Sequence, residues 1–274
     1  MKSKIFTLIR VIITIAIFTL IEFLINQLIL FVLSINTNYG FTDKEFLIKY
    51  STLATSVSTF IMIVLLLVFF RRKRIVKKQH ILKFNRVNKK AVLYAFLMMV
   101  SITAITSIYT YFMKFLSNHF GFIKDSMDFY SNFEDIMANE TTLFMTAWIA
   151  IFAPILEEFI YRGYSIYKLK KVFSTKATVL ISALIFAAAH GNLYQGGFAF
   201  FAGLVLALVY IKTDSIGLSI ILHMYNNLLD VIFTSFNIPD YIQIIYFVIS
   251  AIALITLPYL YKRFLKYNIP TKNS

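Results

Sequence analysis

The chain contains no cysteine, so disulfide frameworks, thiolate zinc sites and cysteine nucleophiles are excluded. It also lacks a glycine-rich phosphate loop, a GxSxG nucleophile elbow and an HExxH zinc motif. Acidic residues are few, since 13 Asp and Glu stand against 27 Lys and Arg and give a formal net charge of +14. No Pro-rich, Ser-rich or low-complexity linker divides the 274 residues. The sequence therefore predicts one domain.

Apolar residues are abundant and occur in long blocks. They make up 59% of the chain, whose mean hydropathy is +0.75, against roughly 45–50% in soluble domains. The pattern predicts an all-α, polytopic integral membrane protein with about eight transmembrane helices. The predicted spans are residues 11–33, 52–70, 91–116, 141–161, 177–195, 198–211, 215–236 and 241–261. The span 198–211 is short, and we expect it to be tilted or partly re-entrant.

Basic residues concentrate in alternate loops, which predicts a cell-membrane protein with both the N- and C-termini in the cytoplasm. The richest loop, RRKRIVKKQHILKFNRVNKK (71–90), is interpreted as a topology anchor that attracts anionic lipid. The partners expected are the lipid bilayer and a membrane-associated substrate, with no nucleic acid. The acidic and aromatic segment 125–140 is predicted to be an outer-face loop or an interfacial helix.

The segment AIFAPILEEFIYR (150–162) places Glu157, Glu158 and Arg162 inside a membrane-like run. An ionisable group at this depth is costly and indicates a functional site. A purely structural explanation is an ion pair between Glu158 and Arg162, which are four residues apart. That explanation leaves Glu157 about 100° round the helix and available for chemistry.

Two later spans carry imidazoles, in IFAAAH (185–190) and HMYNN (223–227). A single membrane histidine usually makes a helix–helix hydrogen bond, but Glu157, His190 and His223 are predicted to reach comparable depths on three helices. A carboxylate beside an imidazole can activate water, and a second imidazole with an amide can stabilise an oxyanion. Glu157, His190 and His223 are equally a zinc ligand set. The cofactor is therefore either none or Zn²⁺, and both alternatives indicate amide hydrolysis.

In their order and spacing, EEFIYR (157–162), FAAAH (186–190) and HMYNN (223–227) resemble the EExxxR, FxxxH and HxxxN motifs of the CPBP family. This family, also called Abi, comprises CAAX prenyl proteases and bacteriocin-processing enzymes. The resemblance covers residues 141–236, flanked by N-terminal helices and a basic loop (1–140) and by a last helix and basic tail (237–274).

The resemblance implies an eight-helix intramembrane protease with a water-filled cavity, acting as a glutamate protease or a metalloprotease. In it, Glu157 with His190 would activate the water, His223 and Asn227 would stabilise the oxyanion, and Arg162 would hold Glu158. It also implies maturation of a bacteriocin or signalling propeptide, or self-immunity to one.

Two alternatives come from other functional classes. The chain could be a membrane scaffold or immunity protein that binds without cutting. It could instead be a proton-coupled transporter that uses the same carboxylates and histidines as a relay, although paired discontinuous helices are not evident in the sequence. Three polar residues of the first span, Glu22, Asn26 and Gln27, are interpreted as contacts between helices.

Overall fold

A computed structural model describes residues 2–35, 37, 40–77, 80–140 and 143–267. Within these ranges all regular elements are helical, and the only β-type pairing is an isolated bridge between Phe84 and Ser215. The prediction of an all-α fold is confirmed. The helices are α1 (Lys2–Ile35), α2 (Lys44–Lys77), α3 (Lys89–Ser117), α4 (Gly121–Glu140), α5 (143–169), α6 (Thr175–Ala189), α7 (Leu193–Thr213), α8 (Ile216–Ser235), α9 (Asp240–Ile255) and α10 (Leu257–Tyr267).

The chain is a multi-pass membrane protein, but it has fewer full-length spans than the eight predicted. Five helices in the described ranges are long and apolar enough to cross a bilayer: Lys2–Ile35, Lys49–Arg74, Lys89–Ser117, Leu193–Thr213 and Ile216–Ser235. A sixth span is formed if α9 and α10, bent by 70° at their junction, are counted together. The difference arises because α6 has only 15 residues and α5 is not a continuous α-helix.

Several predicted boundaries were wrong. The predicted span 177–195 ends early, because α6 stops at Ala189 and the chain turns before α7. The predicted short span 198–211 is instead the 21-residue helix α7, so it is long enough to cross. The segment 125–140 belongs to α4, in agreement with the helical alternative.

The first of two compact units contains the described parts of residues 1–82 and 141–172. Its helices α1 and α2 are joined by polar side chains at membrane depth, where such contacts are characteristic of helix pairs. Asn26 Nδ2 donates to Thr55 Oγ1 at 3.0 Å, and Thr59 Oγ1 donates to Glu22 Oε1 at 2.7 Å. These bonds confirm the interpretation for Glu22 and Asn26, whereas Gln27 Nε2 donates to Asn26 Oδ1 of the same helix at 3.4 Å.

The second unit contains the described parts of residues 83–140 and 173–274. Its core forms where α3 packs against α7, α9 and α10, around buried side chains that include Met98, Leu206, Leu222 and Phe264. Helices α6 and α7 form a hairpin joined by only three residues, 190–192. The turn lies against α4, because Asn192 Nδ2 donates to the carbonyl of Ser126 at 2.9 Å.

Basic residues of the second unit are concentrated at one of its two ends. Lys83 pairs with Asp214 at 2.7 Å, which holds the segment before α3 against the C-terminus of α7. Lys90 and Arg263 lie over the ring of Tyr267, so the end of α10 is at this same end. The basic residues gathered here are Lys83, Arg86, Lys89, Lys90, Lys176, Lys212, Lys262, Arg263 and Lys266. The opposite end, with the end of α3 and the start of α4, carries Asp125 and Asp128 together with only two lysines, Lys114 and Lys124.

Candidate functional site

The carboxylates of the site stand on α5, whose winding is irregular. Two stretches of α5, Trp148–Phe152 and Glu158–Ile166, are π-helical, and they flank the α-helical turn Ala153–Glu157. In the longer one, Ser165 Oγ donates to the carbonyl of Ile160, five residues earlier, at 2.9 Å. π-Helical turns are rare and occur frequently at functional sites. The first two motif residues, Glu157 and Glu158, lie where the winding changes.

Glu158 and Arg162 form an ion pair that is completely buried. Arg162 Nη1 lies 2.8 Å from Glu158 Oε1, and both side chains have no exposed surface. A charge-assisted contact of this length neutralises both groups in a low-dielectric environment. The structure therefore brings these two residues together, and Arg162 fixes Glu158 on the inner face of α5.

Glu157 has a different environment, although it is the next residue. Its side chain is only half-buried, and it interacts electrostatically with Glu22 and Tyr161. A bonded chain holds Glu22 in place, in which Trp148 Nε1 donates to Thr59 Oγ1 at 3.2 Å and Thr59 donates to Glu22. In the first unit, Glu157 is thus the motif carboxylate that reaches an accessible surface.

His190 lies at the C-cap of α6, not within a long span. A 15-residue helix is about 22 Å long, which is less than the ~30 Å of a hydrocarbon core. The helix can end here because Gly191 adopts a φ of +66°, a left-handed conformation that glycine accepts without strain. His190 therefore stands in the turn that follows a helix too short to cross a bilayer by itself.

The ring of His190 has a defined orientation. Its Nδ1 lies 2.9 Å from the carbonyl oxygen of Phe186. Since a carbonyl oxygen only accepts hydrogen bonds, Nδ1 carries a proton and donates it. In the neutral ring this leaves the lone pair on Nε2, which can accept a proton or bind a metal ion.

Phe186 connects the two motif histidines, His190 and His223. Its ring packs edge-on against His190, with centroids 4.9 Å apart, and edge-on against His223, with centroids 5.7 Å apart. Phe186 and His223 are buried, and His190 is half-buried. Asn227 lies one turn beyond His223 on α8 and is also half-buried. One aromatic ring thus contacts both imidazoles.

The six predicted site residues therefore form two groups, one in each unit. Glu157, Glu158 and Arg162 stand together on α5. His190 and His223 lie against Phe186, and Asn227 lies one turn beyond His223 on α8. Within either unit, taken by itself, no three described His, Asp or Glu side chains are grouped to hold a metal ion. The combination of the two groups into one site remains a prediction.

Sequence reasoning missed three contributions to the site. Phe186 was noted as a motif residue on the face of His190, but its contact with His223 joins residues far apart in sequence. Gly191 was placed inside a predicted span, although a glycine after the last apolar residue is a common helix-stop signal. The Trp148–Thr59–Glu22 chain gave no sequence signal, because hydroxyl and indole groups are ordinary in apolar helices.

Comparisons with known proteins agree with the motifs. The family model for type II CAAX prenyl endopeptidases, Rce1-like, matches residues 139–229, the segment that carries all three. The chain is similar to the membrane-embedded CAAX protease MroQ of Staphylococcus aureus (strain USA300), with 29% identity over 108 residues. These findings support the resemblance of this chain to the CPBP family. The matched stretch covers 37% of this chain and 43% of that relative, less than half of either. No solved structure gives a significant match.

Proposed function

We propose that the chain is an intramembrane endopeptidase that hydrolyses a peptide bond in a membrane-associated peptide or protein. The observation that carries the proposal is the contrast between two adjacent carboxylates. Glu158 is consumed in a buried ion pair, whereas Glu157 is half-buried within a CPBP-like segment. A partly solvated carboxylate in an apolar environment is suited to take a proton from water.

In the proposed mechanism, Glu157 and His190 act on one water molecule. Glu157 accepts the proton as the water oxygen attacks the peptide carbonyl, and Nε2 of His190 orients the water. The bond between Nδ1 and Phe186 supports this role, because it fixes the tautomer and the ring. Proton transfer from Glu157 to the amine nitrogen then releases the two products.

His223 and Asn227 are proposed to stabilise the oxyanion of the tetrahedral intermediate. An imidazole N–H and an amide NH₂ are both donors, and preorganised donors act strongly where water is excluded. The packing of His223 against Phe186 supports preorganisation, since a buried ring held edge-on cannot reorient freely. Arg162 and Glu158 do not touch the reacting atoms in this proposal, and they position the helix that carries Glu157.

The same residues suit zinc by donor type. Glu157, His190 and His223 would supply the three protein ligands of a catalytic site with an open position. Zinc-bound histidines usually donate their second ring nitrogen to a carboxylate or carbonyl, and His190 already donates to Phe186. A bound zinc ion would supply acidification of the attacking water. We nevertheless propose the metal-independent form, with Glu157 as the base, because the amide of Asn227, one turn beyond His223, suits an oxyanion donor and not a zinc ligand.

The proposed substrate is a membrane-associated peptide, such as a bacteriocin or signalling propeptide. Cleavage would either mature this peptide or give self-immunity to it. Its support is the CPBP resemblance together with a named CAAX protease relative. We also propose that the basic end of the second unit faces the cytoplasm, because Lys and Arg are retained on that side. Substrate tails would then enter from the cytoplasmic leaflet.

The experiment compares the peptides of a deletion strain complemented by the wild type, by Glu157→Gln or by Asp128→Asn. The control also replaces an acid by its amide, at an exposed position of α4. At equal protein abundance, the wild type and Asp128→Asn should release the same cleaved peptides, and Glu157→Gln should release none. If Glu157→Gln restores the wild-type peptides and phenotype, the protein is a scaffold and not a protease.

A further inference from the structure

The second unit contains an open apolar groove that the proposed catalytic residues do not use. It lies among α3, α6, α7 and α10 and has a volume of about 320 Å³. Side chains that line it include Met98, Val179, Leu204, Leu208, Pro258 and Tyr261. This volume is at the lower end of the ~300–1,000 Å³ typical of ligand pockets. The lining is hydrocarbon apart from one thioether and one phenol, so the groove suits an alkyl chain.

The bend between α9 and α10 builds one wall of the groove. The helices meet at 70° beside Thr256, whose Oγ1 donates back to the carbonyl of Ile252 at 2.8 Å. Pro258 follows at the second residue of α10, where its missing N–H costs no intrahelical bond. On its other side α10 is fixed to α3, through buried Leu260 and Phe264. The wall is therefore part of the packed fold.

Three lysines at the basic end of the unit lie within four residues of side chains that line the groove. Lys176 precedes Val179 by three residues on α6, and Lys212 follows Leu208 by four on α7. Both spacings place the lysine on the same helix face as the lining residue. Lys262 comes directly after Tyr261 on α10. All three lysines are exposed, so their ammonium groups are accessible to an anion at the membrane surface.

We propose that this groove binds the acyl chain of an anionic phospholipid, with its phosphate headgroup at Lys176, Lys212 and Lys262. A groove in a membrane-spanning unit is filled from the bilayer, and its lining offers no charged group to orient a water-soluble ligand. The three lysines are complementary to a negative headgroup, and each cation near the surface contributes about 1 kcal/mol of attraction to anionic lipid. The lipid would join α10 to the α6–α7 hairpin.

The test measures lipid bound to the full-length protein in mild detergent by native mass spectrometry. Phosphatidylglycerol and phosphatidylcholine with identical acyl chains are the probes, because they differ only in headgroup. The wild type should bind phosphatidylglycerol more tightly than phosphatidylcholine. Leu208→Trp, which fills the groove, should lose this binding, and Leu180→Trp, on an exposed face of α6, should keep it. Val179→Phe provides a second filling variant should Leu208→Trp fail to fold.

Charge substitutions separate the headgroup from the chain. Lys176→Gln and Lys212→Gln should each weaken phosphatidylglycerol binding by roughly fivefold and leave phosphatidylcholine binding unchanged. Lys124→Gln, on α4 at the opposite end, is the control. The proposal is wrong if both folded filling variants bind as much phosphatidylglycerol as the wild type, or if the two lipids bind equally to the wild type. A change in oligomeric state with unchanged lipid content would also overturn it, by making the groove a protein interface.

Discussion

Substituting Glu158 by Gln removes one charge from an ion pair whose two side chains are completely excluded from solvent. At the observed separation of 2.8 Å, the attraction lost is roughly 6 kcal/mol at an effective dielectric constant of about 20. Part of this is offset, because Gln no longer needs to be desolvated as an anion. Arg162 nevertheless remains buried without its counter-charge. Breaking such a pair typically costs about 3–5 kcal/mol of folding free energy.

The assay is thermal unfolding of the purified protein in one detergent. Glu158→Gln, Glu158→Leu and Arg162→Met should each lower the unfolding midpoint by roughly 10 °C, on a scale of 2–4 °C per kcal/mol. The double variant Glu158→Leu/Arg162→Met should recover most of this loss, because replacing a whole buried pair by apolar groups of similar size is often neutral. Glu157→Gln is the matched control. It changes the neighbouring carboxylate, which is half-buried, and should alter the midpoint only slightly.

The double variant tests whether the ion pair has the structural role assigned to it. If the effects of Glu158→Leu and Arg162→Met add to within about 0.5 kcal/mol, the two residues do not interact, and the assignment of the pair as a structural lock is wrong. If the double variant is stable and still cleaves, the pair positions α5 without taking part in the chemistry. If it is stable and inactive, Glu158 or Arg162 acts in the reaction itself, and the division of roles between the two carboxylates is refuted.

Three further predictions can be checked separately. Asn227→Ala should lower the cleavage rate by roughly 10²–10³ with unchanged protein abundance, since it removes one oxyanion donor; an unchanged rate would remove Asn227 from the site. Cleavage by purified enzyme should persist after exhaustive chelation, and loss of activity that added zinc restores would establish a metalloprotease. A cysteine at exposed His80 should be shielded in intact cells, whereas one at Asp128 should react with an impermeant thiol reagent; the reverse labelling would invert the proposed topology.

The sequence predicted the features that depend on composition and on simple helical spacing. Long apolar blocks established the all-α membrane fold, because a backbone in hydrocarbon must satisfy its own hydrogen bonds. The spacing of four between Glu158 and Arg162 predicted their ion pair, which the structure contains. The polar residues Glu22 and Asn26 were correctly interpreted as contacts between helices.

Breaks in apolar helices were not predicted, because hydropathy does not change where an apolar helix is interrupted. The run from 177 to 195 is apolar across the turn at His190 and Gly191, so the hydropathy pattern continued where the helix does not. The last predicted span, 241–261, likewise did not include the bend beside Thr256, although Pro258 two residues later was a signal for it. The predicted count of about eight exceeds the five or six full-length spans in the described residues for the same reason. In a hydropathy pattern, an apolar helix of 15 residues is not distinguished from part of a longer one.

The winding of α5 was also beyond the sequence, yet particular residues account for it. A π-helix is unfavourable over nine residues and persists only where its surroundings hold it. Between Glu158 and Ile166 the buried ion pair closes one face, and Ser165 Oγ adds a bond to Ile160. Gly163 allows a close approach, since a methyl group there would lie 2.5 Å from Leu82 Cδ2. The ion pair between Glu158 and Arg162 thus stabilises an irregular helix. Glu157 lies at the edge of this π-helical stretch and is the carboxylate to which we assign the proposed chemistry.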